Sequence, residues 1–404
     1  MGQTLSEPVT TKESASCAND SYLVGSSCMQ GWRVNMEDAH THLLNLRGDD
    51  SKCAFFAVYD GHGGPKVSQY AGINLHKLIL QQSEYQNGDL SAALQKGFLA
   101  LDEQMRGAEE MKDDVSGTTA VVVLVKDNTI YCANVGDSRA VVSVVGEARP
   151  LSFDHKPAHE TEARRIVAAG GWVEFNRVNG NLALSRALGD FVFKRNDSKP
   201  PEEQIVTAFP DVIKEPIGAD HEFIVLACDG IWDVMSNQEV VDFVRERLAE
   251  KRDPQTIAEE LLTRCLAPDC QMGGLGCDNM TVVIVGLLQG ESRDALSAKC
   301  ARPVVITEAS QEANLSDGDE NKEAGDKTAS VELIRDKINT LAAHMEKDDE
   351  RDSASKEGSA QSTGNKQQNT GDEDSQQKSH KAGLGSGTGT DSPPEELPPT
   401  NFTA

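Results

Sequence analysis

Two aspartates in this sequence each end an apolar run and precede a glycine. Asp60 follows the run CAFFAVY (53–59), and Asp229 follows the run Glu222–Cys228. Runs of β-branched and aromatic residues that stop at turn residues predict buried strands. Two such strands would place their carboxylates on one rim of a sheet. Hard cations such as Mg²⁺ and Mn²⁺ prefer oxygen ligands of this kind.

Further acidic residues stand in comparable places. Glu37 and Asp38 are adjacent, and Asp137 and Asp278 occupy turns. A single acid at a strand end is more often a turn former or a helix cap. The repetition favours a metal site, because two divalent ions bridged by a carboxylate can hold a hydroxide for in-line attack on phosphorus.

Other hydrolase and nucleotide chemistries use motifs that this sequence lacks. None of the nine cysteines opens a Cys-x₅-Arg stretch, and neither a G-x-x-x-x-G-K-[ST] loop nor a G-x-S-x-G elbow occurs. The formal net charge of -26 argues against a nucleic-acid partner, since nucleic-acid-binding proteins usually carry a basic patch. Small phosphate esters are not excluded as substrates.

The elements that must position these acids lie within residues 20–290. The strand candidates Thr118–Val125, Thr129–Val135 and Arg139–Val145 are joined by short turns, which implies antiparallel neighbours. Helical stretches such as residues 89–110 separate groups of strands. This order favours antiparallel sheets with helices outside over a doubly wound parallel sheet.

Eight motifs in one order resemble those of the metal-dependent serine/threonine protein phosphatases of type 2C. They are GWRVNMEDAH (31–40), FFAVYDGHGG (55–64), SGTTA (116–120), VGDSR (135–139), DHKP (154–157), LALSRALGD (182–190), LACDGIWDVM (226–235) and CDNMTVVIV (277–285). The resemblance implies an α+β fold, a central antiparallel β-sandwich flanked by helices in four α-β-β-α layers. It also implies hydrolysis of phosphoserine and phosphothreonine in proteins, hence phosphoprotein partners and a role in signalling.

The same resemblance implies a cofactor and its main ligands. Two Mg²⁺ or Mn²⁺ ions occupy each active site of the family, with a third held more weakly. Asp60 matches the aspartate that bridges the two ions, and Gly61 matches the glycine that offers its carbonyl to one of them. Asp229 and Asp278 match ligands of the other ion.

The remaining site positions also follow from the resemblance. Glu37 and Asp38 match an acidic pair that reaches a metal directly or through water, and Asp137 matches a ligand of the third ion. Arg33 matches the arginine that holds the substrate phosphate, for which its planar fork is suited. His62 matches the general acid that protonates the leaving seryl or threonyl oxygen. Because no expected acid is missing, an active enzyme is favoured over the alternative, a catalytically inactive phosphatase-like scaffold.

Composition divides the chain into three parts. Residues 1–19 are predicted to be a flexible N-terminus, residues 20–290 the catalytic domain, and residues 291–404 an acidic low-complexity extension with a helix near 328–347. At the N-terminus, Gly2 is followed by a serine four residues later, which fits an N-myristoylation signal.

Cysteine usage indicates a reducing compartment. The nine cysteines form no C-x-x-C pair, and no histidine completes a zinc pattern near Cys265, Cys270 and Cys277. No apolar run approaches the roughly 18 residues that span a bilayer. We predict a monomeric cytoplasmic protein that also enters the nucleus, with weak, reversible peripheral membrane contact through a single acyl chain.

Overall fold

The computed structural model describes residues 4–46, 53–270 and 274–303. Its strands are β1 (Thr4–Ala18), β2 (Tyr22–Arg33), β3 (Ala39–Leu43), β4 (Ala54–Tyr59), β5 (Gly61–His62), β6 (Gly117–Thr118), β7 (Ala120–Lys126), β8 (Thr129–Val135), β9 (Arg139–Val144), β10 (Glu147–Pro150), β11 (Val173–Glu174), β12 (Arg177–Val178), β13 (Leu188–Gly189), β14 (Asp211–Pro216), β15 (His221–Ala227) and β16 (Met280–Leu287). Its helices are α1 (Lys66–Gln81), α2 (Ser83–Gln86), α3 (Leu90–Gly107), α4 (Glu160–Ala168), α5 (Asp229–Trp232), α6 (Asn237–Ala249), α7 (Pro254–Cys265) and α8 (Arg293–Cys300).

Two antiparallel sheets form the centre of the fold. The first has the strand order β1-β2-β16-β15-β9-β10, and the second has the order β14-β8-β7-β4-β3. Their facing sides pack through a buried apolar layer that includes Val24, Phe56, Val123 and Ile224. Because side chains alternate along a strand, the other side of each sheet is available to helices.

Helices cover both outer faces. Phe55 of the second sheet packs in one apolar cluster with Phe98 of α3. On the opposite side, Val225 of the first sheet packs in another cluster with Leu261 of α7. The four-layer α-β-β-α sandwich predicted from the sequence is therefore confirmed.

One edge of the sandwich brings the predicted acids together. Tyr59 at the end of β4 pairs with Ala39 at the start of β3. Ala227 at the end of β15 pairs with Arg139 at the start of β9 and with Val282 of β16. Antiparallel neighbours alternate in direction, so strand ends and strand starts meet at this edge.

The N-terminal segment differs from the prediction. Residues 4–18 were expected to be flexible, and that expectation is wrong, because they form β1. This strand pairs with β2 from Ala18↔Leu23 to Thr4↔Arg33. Its side chains are mostly exposed, so it lacks the apolar alternation that reveals a strand, and backbone hydrogen bonds hold it at the sheet edge.

The fold also extends past the predicted boundary at residue 290. Helix α8 follows that boundary, and Arg245 of α6 donates from its Nη2 to the carbonyl oxygen of Arg302 at 2.9 Å. The helix predicted near 328–347 lies outside the described residues, as does Gly2. No helix in the described ranges is long and apolar enough to cross a lipid bilayer.

The cysteines show one pairing that the sequence analysis did not predict. Cys270 and Cys277 form a disulfide, and both pack against Trp32. The Nε1 of Trp32 donates to the carbonyl oxygen of Ala267 at 3.0 Å, so the disulfide and Ala267 both contact the end of β2. The other seven cysteines form no disulfide.

Candidate active site

Carboxylates gather at the sandwich edge described above. Asp60 follows β4, Asp229 opens α5 directly after β15, and Asp278 precedes β16. Their charges act on one another and on neighbouring acids. We call this group the acidic cluster and include Glu37, whose carbonyl oxygen approaches Gly61; its seven members are Glu37, Asp38, Asp60, Asp137, Asp229, Asp233 and Asp278.

Backbone hydrogen bonds fix the position of Asp60. Its N–H donates to Thr119 Oγ1 at 3.2 Å, and the N–H of Thr119 donates to the Asp60 carbonyl at 2.9 Å. Thr119 Oγ1 is hydrogen-bonded in turn to Ser138 Oγ at 2.7 Å. A side chain at Gly61 would place its Cβ 2.2 Å from the carbonyl oxygen of Glu37, so this close approach requires glycine.

Asp38 carries an unsatisfied oxygen. Its Oδ2 accepts a hydrogen bond from Thr281 Oγ1 at 2.7 Å, whereas its buried Oδ1 has no partner among the described residues. Ligand atoms of Asp38, Asp60 and Cys228 lie within 4.8 Å of one another. Burial raises the pKa of the Cys228 thiol, which keeps it protonated. The carboxylate oxygens are the donors that remain, and they suit a hard divalent cation.

Burial and mutual repulsion act on the carboxyl groups of the acidic cluster. Burial raises the pKa of Asp38 to about 7. It also raises the pKa of Asp60, with added repulsion from Asp229 and Asp38. For Asp229, burial and then the charges of Asp137 and Asp278 raise the pKa. Such a group is stabilised in its ionised form when a cation binds.

The acidic cluster has few internal counter-charges. Arg33 Nη2 donates to Asp278 Oδ2, and Lys156 Nζ donates to Asp137 Oδ2 at 2.5 Å. Within the described part of the chain, these are the ion pairs that the cluster makes. Seven carboxylates thus face two cations, and bound divalent ions would offset most of the remaining negative charge.

Asn279 connects the two halves of this edge, and the sequence analysis did not assign it a role. Its Oδ1 accepts from the N–H of Glu37 at 2.9 Å. Its Nδ2 donates to the carbonyl oxygens of Gln30 at 2.8 Å and Asn35 at 3.0 Å. It therefore fixes the segment that carries Glu37. In the sequence, its place beside Asp278 in the motif CDNM could have indicated that it belongs to the site.

Asp233 is a second residue that the sequence analysis missed. Its N–H donates to the carbonyl oxygen of Asp229 at 2.8 Å, one helical turn earlier. The charge of Asp233 contributes to the raised pKa of Asp229. Residues four apart share a helix face, so the spacing of the two aspartates could have identified it.

His62 lies in β5, directly after Asp60 and Gly61 in the chain. Its Nε2 lies 2.7 Å from Oδ2 of Asp190, and its side chain stays 28% exposed. Burial opposes protonation, but the charge and hydrogen bond of Asp190 outweigh it and raise the pKa of His62. Asp190 had no predicted role, although it ends the motif LALSRALGD.

The carboxylates of the acidic cluster can bind divalent cations. The partly exposed Arg33 can bind a phosphate group, and His62 can give or take a proton. On the rim of a four-layer sandwich, that arrangement defines a metal-dependent phosphatase.

Comparison with known proteins gives the same class. The model of the family described as protein phosphatase 2C matches residues 22–272. A probable protein phosphatase 2C of Caenorhabditis elegans is 72% identical over 350 residues, which cover 87% of this chain and 97% of the relative. Protein phosphatase 2C homolog 3 of Schizosaccharomyces pombe is 51% identical over 310 residues, covering 76% and 75%. The chain therefore belongs to the protein phosphatase 2C family.

A solved structure supports the fold assignment. A phosphatase of Toxoplasma gondii superposes with a TM-score of 0.58 and 29% identity, over 69% of this chain and 96% of that one. The chain is thus a metal-dependent serine/threonine protein phosphatase. The predicted family, fold and enzyme class are confirmed, and the inactive-scaffold alternative gains no support.

Proposed function

We propose that the acidic cluster holds two Mg²⁺ or Mn²⁺ ions and that the enzyme hydrolyses phosphoserine and phosphothreonine esters there. The observation that carries this proposal is a set of carboxyl groups with raised pKa values, the buried Asp38 and the partly buried Asp60 and Asp229. The cations among the described residues do not balance the charge of the acidic cluster. Bound divalent ions supply a hydroxide nucleophile near neutral pH and neutralise charge on the phosphate.

The proposed ligand set is the one that membership of the protein phosphatase 2C family implies. Asp60 and the carbonyl of Gly61 would hold one ion, and Asp60, Asp229 and Asp278 the other. The acidic pair of Glu37 and Asp38 would reach them directly or through water. A third, weaker site is proposed at Asp137 and Asp229. Asp233, which the sequence analysis omitted, belongs with this third site because it follows Asp229 by one helical turn.

Arg33 is proposed to bind the substrate phosphate. Its side chain is 39% exposed, and one of its terminal nitrogens is occupied by Asp278. The remaining N–H groups can donate to phosphate oxygens in a fixed planar fork. Asp278 thereby orients Arg33, which in turn would hold the substrate phosphate.

His62 is proposed as the general acid. As the bond from phosphorus to the seryl or threonyl oxygen breaks, the imidazole donates a proton to that oxygen. A poor leaving group needs this proton more than a good one does. The partly exposed ring and its anchoring to Asp190 support the role.

A metal-restoration assay tests the main proposal. Protein stripped with a chelator is assayed on a phosphothreonyl peptide before and after titration with Mn²⁺ or Mg²⁺. We expect no turnover in excess chelator, full recovery with metal, and no recovery for Asp60→Asn. Full activity in excess chelator would refute the proposal.

We further propose that Gly2 is N-myristoylated and that the enzyme is a cytoplasmic and nuclear monomer with weak peripheral membrane contact. The seven cysteines that form no disulfide support a cytosolic setting. One acyl chain gives only marginal membrane binding. Intact-mass analysis of protein from a host with the transferase tests the lipid, and an unmodified Gly2 would contradict it. Light scattering tests the monomer, and microscopy of a C-terminally tagged chain tests the location.

A further inference from the structure

A small three-stranded sheet holds His62 against Asp190. Its strand order is β13-β6-β5, with Gly117 of β6 paired to His62 on one side and to Gly189 on the other. His62 and Asp190 therefore meet across the backbone of Gly117. A Cβ on Gly117 would lie 2.1 Å from Asp190 Oδ2 and 2.6 Å from His62 Nε2. The contact between the two side chains thus depends on a glycine between them.

Asp190 adopts a conformation that a non-glycine residue seldom takes. Its φ is 50° and its ψ is 39°, in the left-handed region. It is 4% exposed, and its N–H donates to the carbonyl oxygen of Ser116 at 3.1 Å. A left-handed backbone is unfavourable for a residue with a Cβ, and strain of this kind concentrates at functional sites.

A buried ion pair anchors the turn that carries Asp190. Lys194 Nζ donates to both carboxylate oxygens of Asp102, at 2.8 and 2.9 Å, and to the carbonyl oxygen of Ala187 at 2.8 Å. The N–H of Gly189 donates to Asp102 Oδ1 at 2.9 Å. The residues on both sides of Asp190 are therefore fixed to α3, and its carboxylate is fixed with them.

We propose that Asp190 is the positioning residue for the proton donor, holding Nε2 of His62 so that Nδ1 is the nitrogen presented to the leaving oxygen. This inference deepens the proposed function, because it requires His62 to be the general acid. Imidazole has two ring nitrogens, and a hydrogen-bond partner on one of them leaves the other to donate its proton.

The proton transfer balances with this geometry. The Nδ1–H bond breaks and an O–H bond forms on the departing seryl or threonyl oxygen. That oxygen takes the electron pair of the broken P–O bond. The imidazole ends neutral and keeps its Nε2–H hydrogen bond to the Asp190 carboxylate. Asp190 gains no proton in the step.

Two substitutions of Asp190, one mild and one severe, test its positioning role. Asp190→Asn keeps a residue that tolerates the left-handed backbone and still offers an oxygen, whereas Asp190→Gly tolerates the backbone but removes the acceptor. Each is assayed with a phosphothreonyl peptide, which has a poor leaving group, and with p-nitrophenyl phosphate, which has a good one. His62→Gln and the double variant His62→Gln/Asp190→Gly complete the set.

We expect Asp190→Gly to lower kcat on the phosphopeptide by at least about tenfold, with Asp190→Asn between it and the wild type. Turnover of p-nitrophenyl phosphate should stay within about twofold, and KM should change little. In the His62→Gln background, Asp190→Gly should cost nothing further.

Two other outcomes overturn the inference and can be told apart. Equal losses on both substrates, or additive losses in the double variant, would make Asp190 a purely structural residue while leaving His62 as the acid. Loss in His62→Gln that is independent of the leaving group would refute the acid role itself, and the positioning role with it.

Discussion

Two groups of carboxylates in this molecule have pKa values shifted in opposite directions. In the acidic cluster, burial raises the pKa of Asp38 to about 7. Glu162 on α4 is buried as well, but it lies between Arg165 and Arg186, each 2.7 Å from one of its oxygens. Although burial opposes ionisation there, hydrogen bonds from Arg186 and the charge of Arg165 lower the pKa of Glu162 to about 2.

The difference lies in the source of the counter-charge. Glu162 receives its cations from the chain and forms a closed structural network with Arg165 and Arg186. The acidic cluster has only Arg33 and Lys156 among the described residues, so most of its charge must be balanced from outside. A buried carboxylate without an internal partner is therefore the mark of the metal-binding function.

The largest expected effect comes from the centre of the acidic cluster. Asp60→Asn should lower kcat by at least about a thousandfold, since a bound metal contributes several kcal/mol to such a step. Steady-state hydrolysis of a phosphothreonyl peptide measures it. Asp127→Asn, the same substitution in an exposed turn, is the matched control and should leave the rate unchanged. A comparable loss of kcat in Asp60→Asn and Asp127→Asn would show that the acidic cluster matters no more than an exposed turn.

The closed network should respond in stability rather than in metal binding. Glu162→Gln removes the buried negative charge that Arg165 and Arg186 share, so the free energy of unfolding should fall by about 3–5 kcal/mol. Urea denaturation with metal present measures it. Affinity for Mn²⁺, taken below the unfolding transition, should match that of the wild type. If Glu162→Gln kept its stability but bound Mn²⁺ more weakly, Glu162 would belong to the metal site and not to a structural network.

The two groups should also give opposite pH dependences in metal-free protein. The folded pKa of Asp38 is raised, so its contribution is present at acidic pH and is lost as the pH rises through about 7. The folded pKa of Glu162 is lowered, so its contribution is present above about 4.5 and is lost as the pH falls toward 2. One group changes the free energy of unfolding by at most about 1.4 kcal/mol per pH unit.

Chemical denaturation in chelator across pH 2 to 8 measures both pH dependences of the free energy of unfolding. Stability should decline from pH 5 to pH 8, and Asp38→Asn should flatten that decline. Glu162→Gln should instead flatten the decline at acidic pH. Metal-free stability that rises steadily up to pH 8 would contradict the raised pKa values in the acidic cluster.

The smallest expected effect tests the one lysine inside the acidic cluster. Lys156→Gln removes the positive charge next to Asp137. It should strengthen the weakest Mn²⁺ site by at least about a few-fold, because a charge that repels the metal is lost. Calorimetric titration at low salt measures it. Unchanged affinity would show that Lys156 does not compete with the metal.

The acidic cluster was largely predictable from the sequence, because its members stand at the ends of apolar strands and within long motifs. The shared edge of Asp60 and Asp229 needed only the rule that antiparallel strand ends meet, whereas Asp278 and the ligand roles came from the resemblance to a known family. Asp190 was not predictable in this way, since it reaches His62 through two-residue strands that carry no periodicity. Strand β1 was missed for a related reason, because its exposed polar side chains leave only backbone hydrogen bonds to define it.

Calorimetric titration of Mn²⁺ into metal-free protein tests the central claim most directly. Wild type and Asp127→Asn should bind Mn²⁺ with the same affinity and stoichiometry, and Asp60→Asn should lose the tight binding while remaining folded by circular dichroism. A folded Asp60→Asn that binds Mn²⁺ like the wild type would contradict the account, because the uncompensated carboxylates would then not be the metal site.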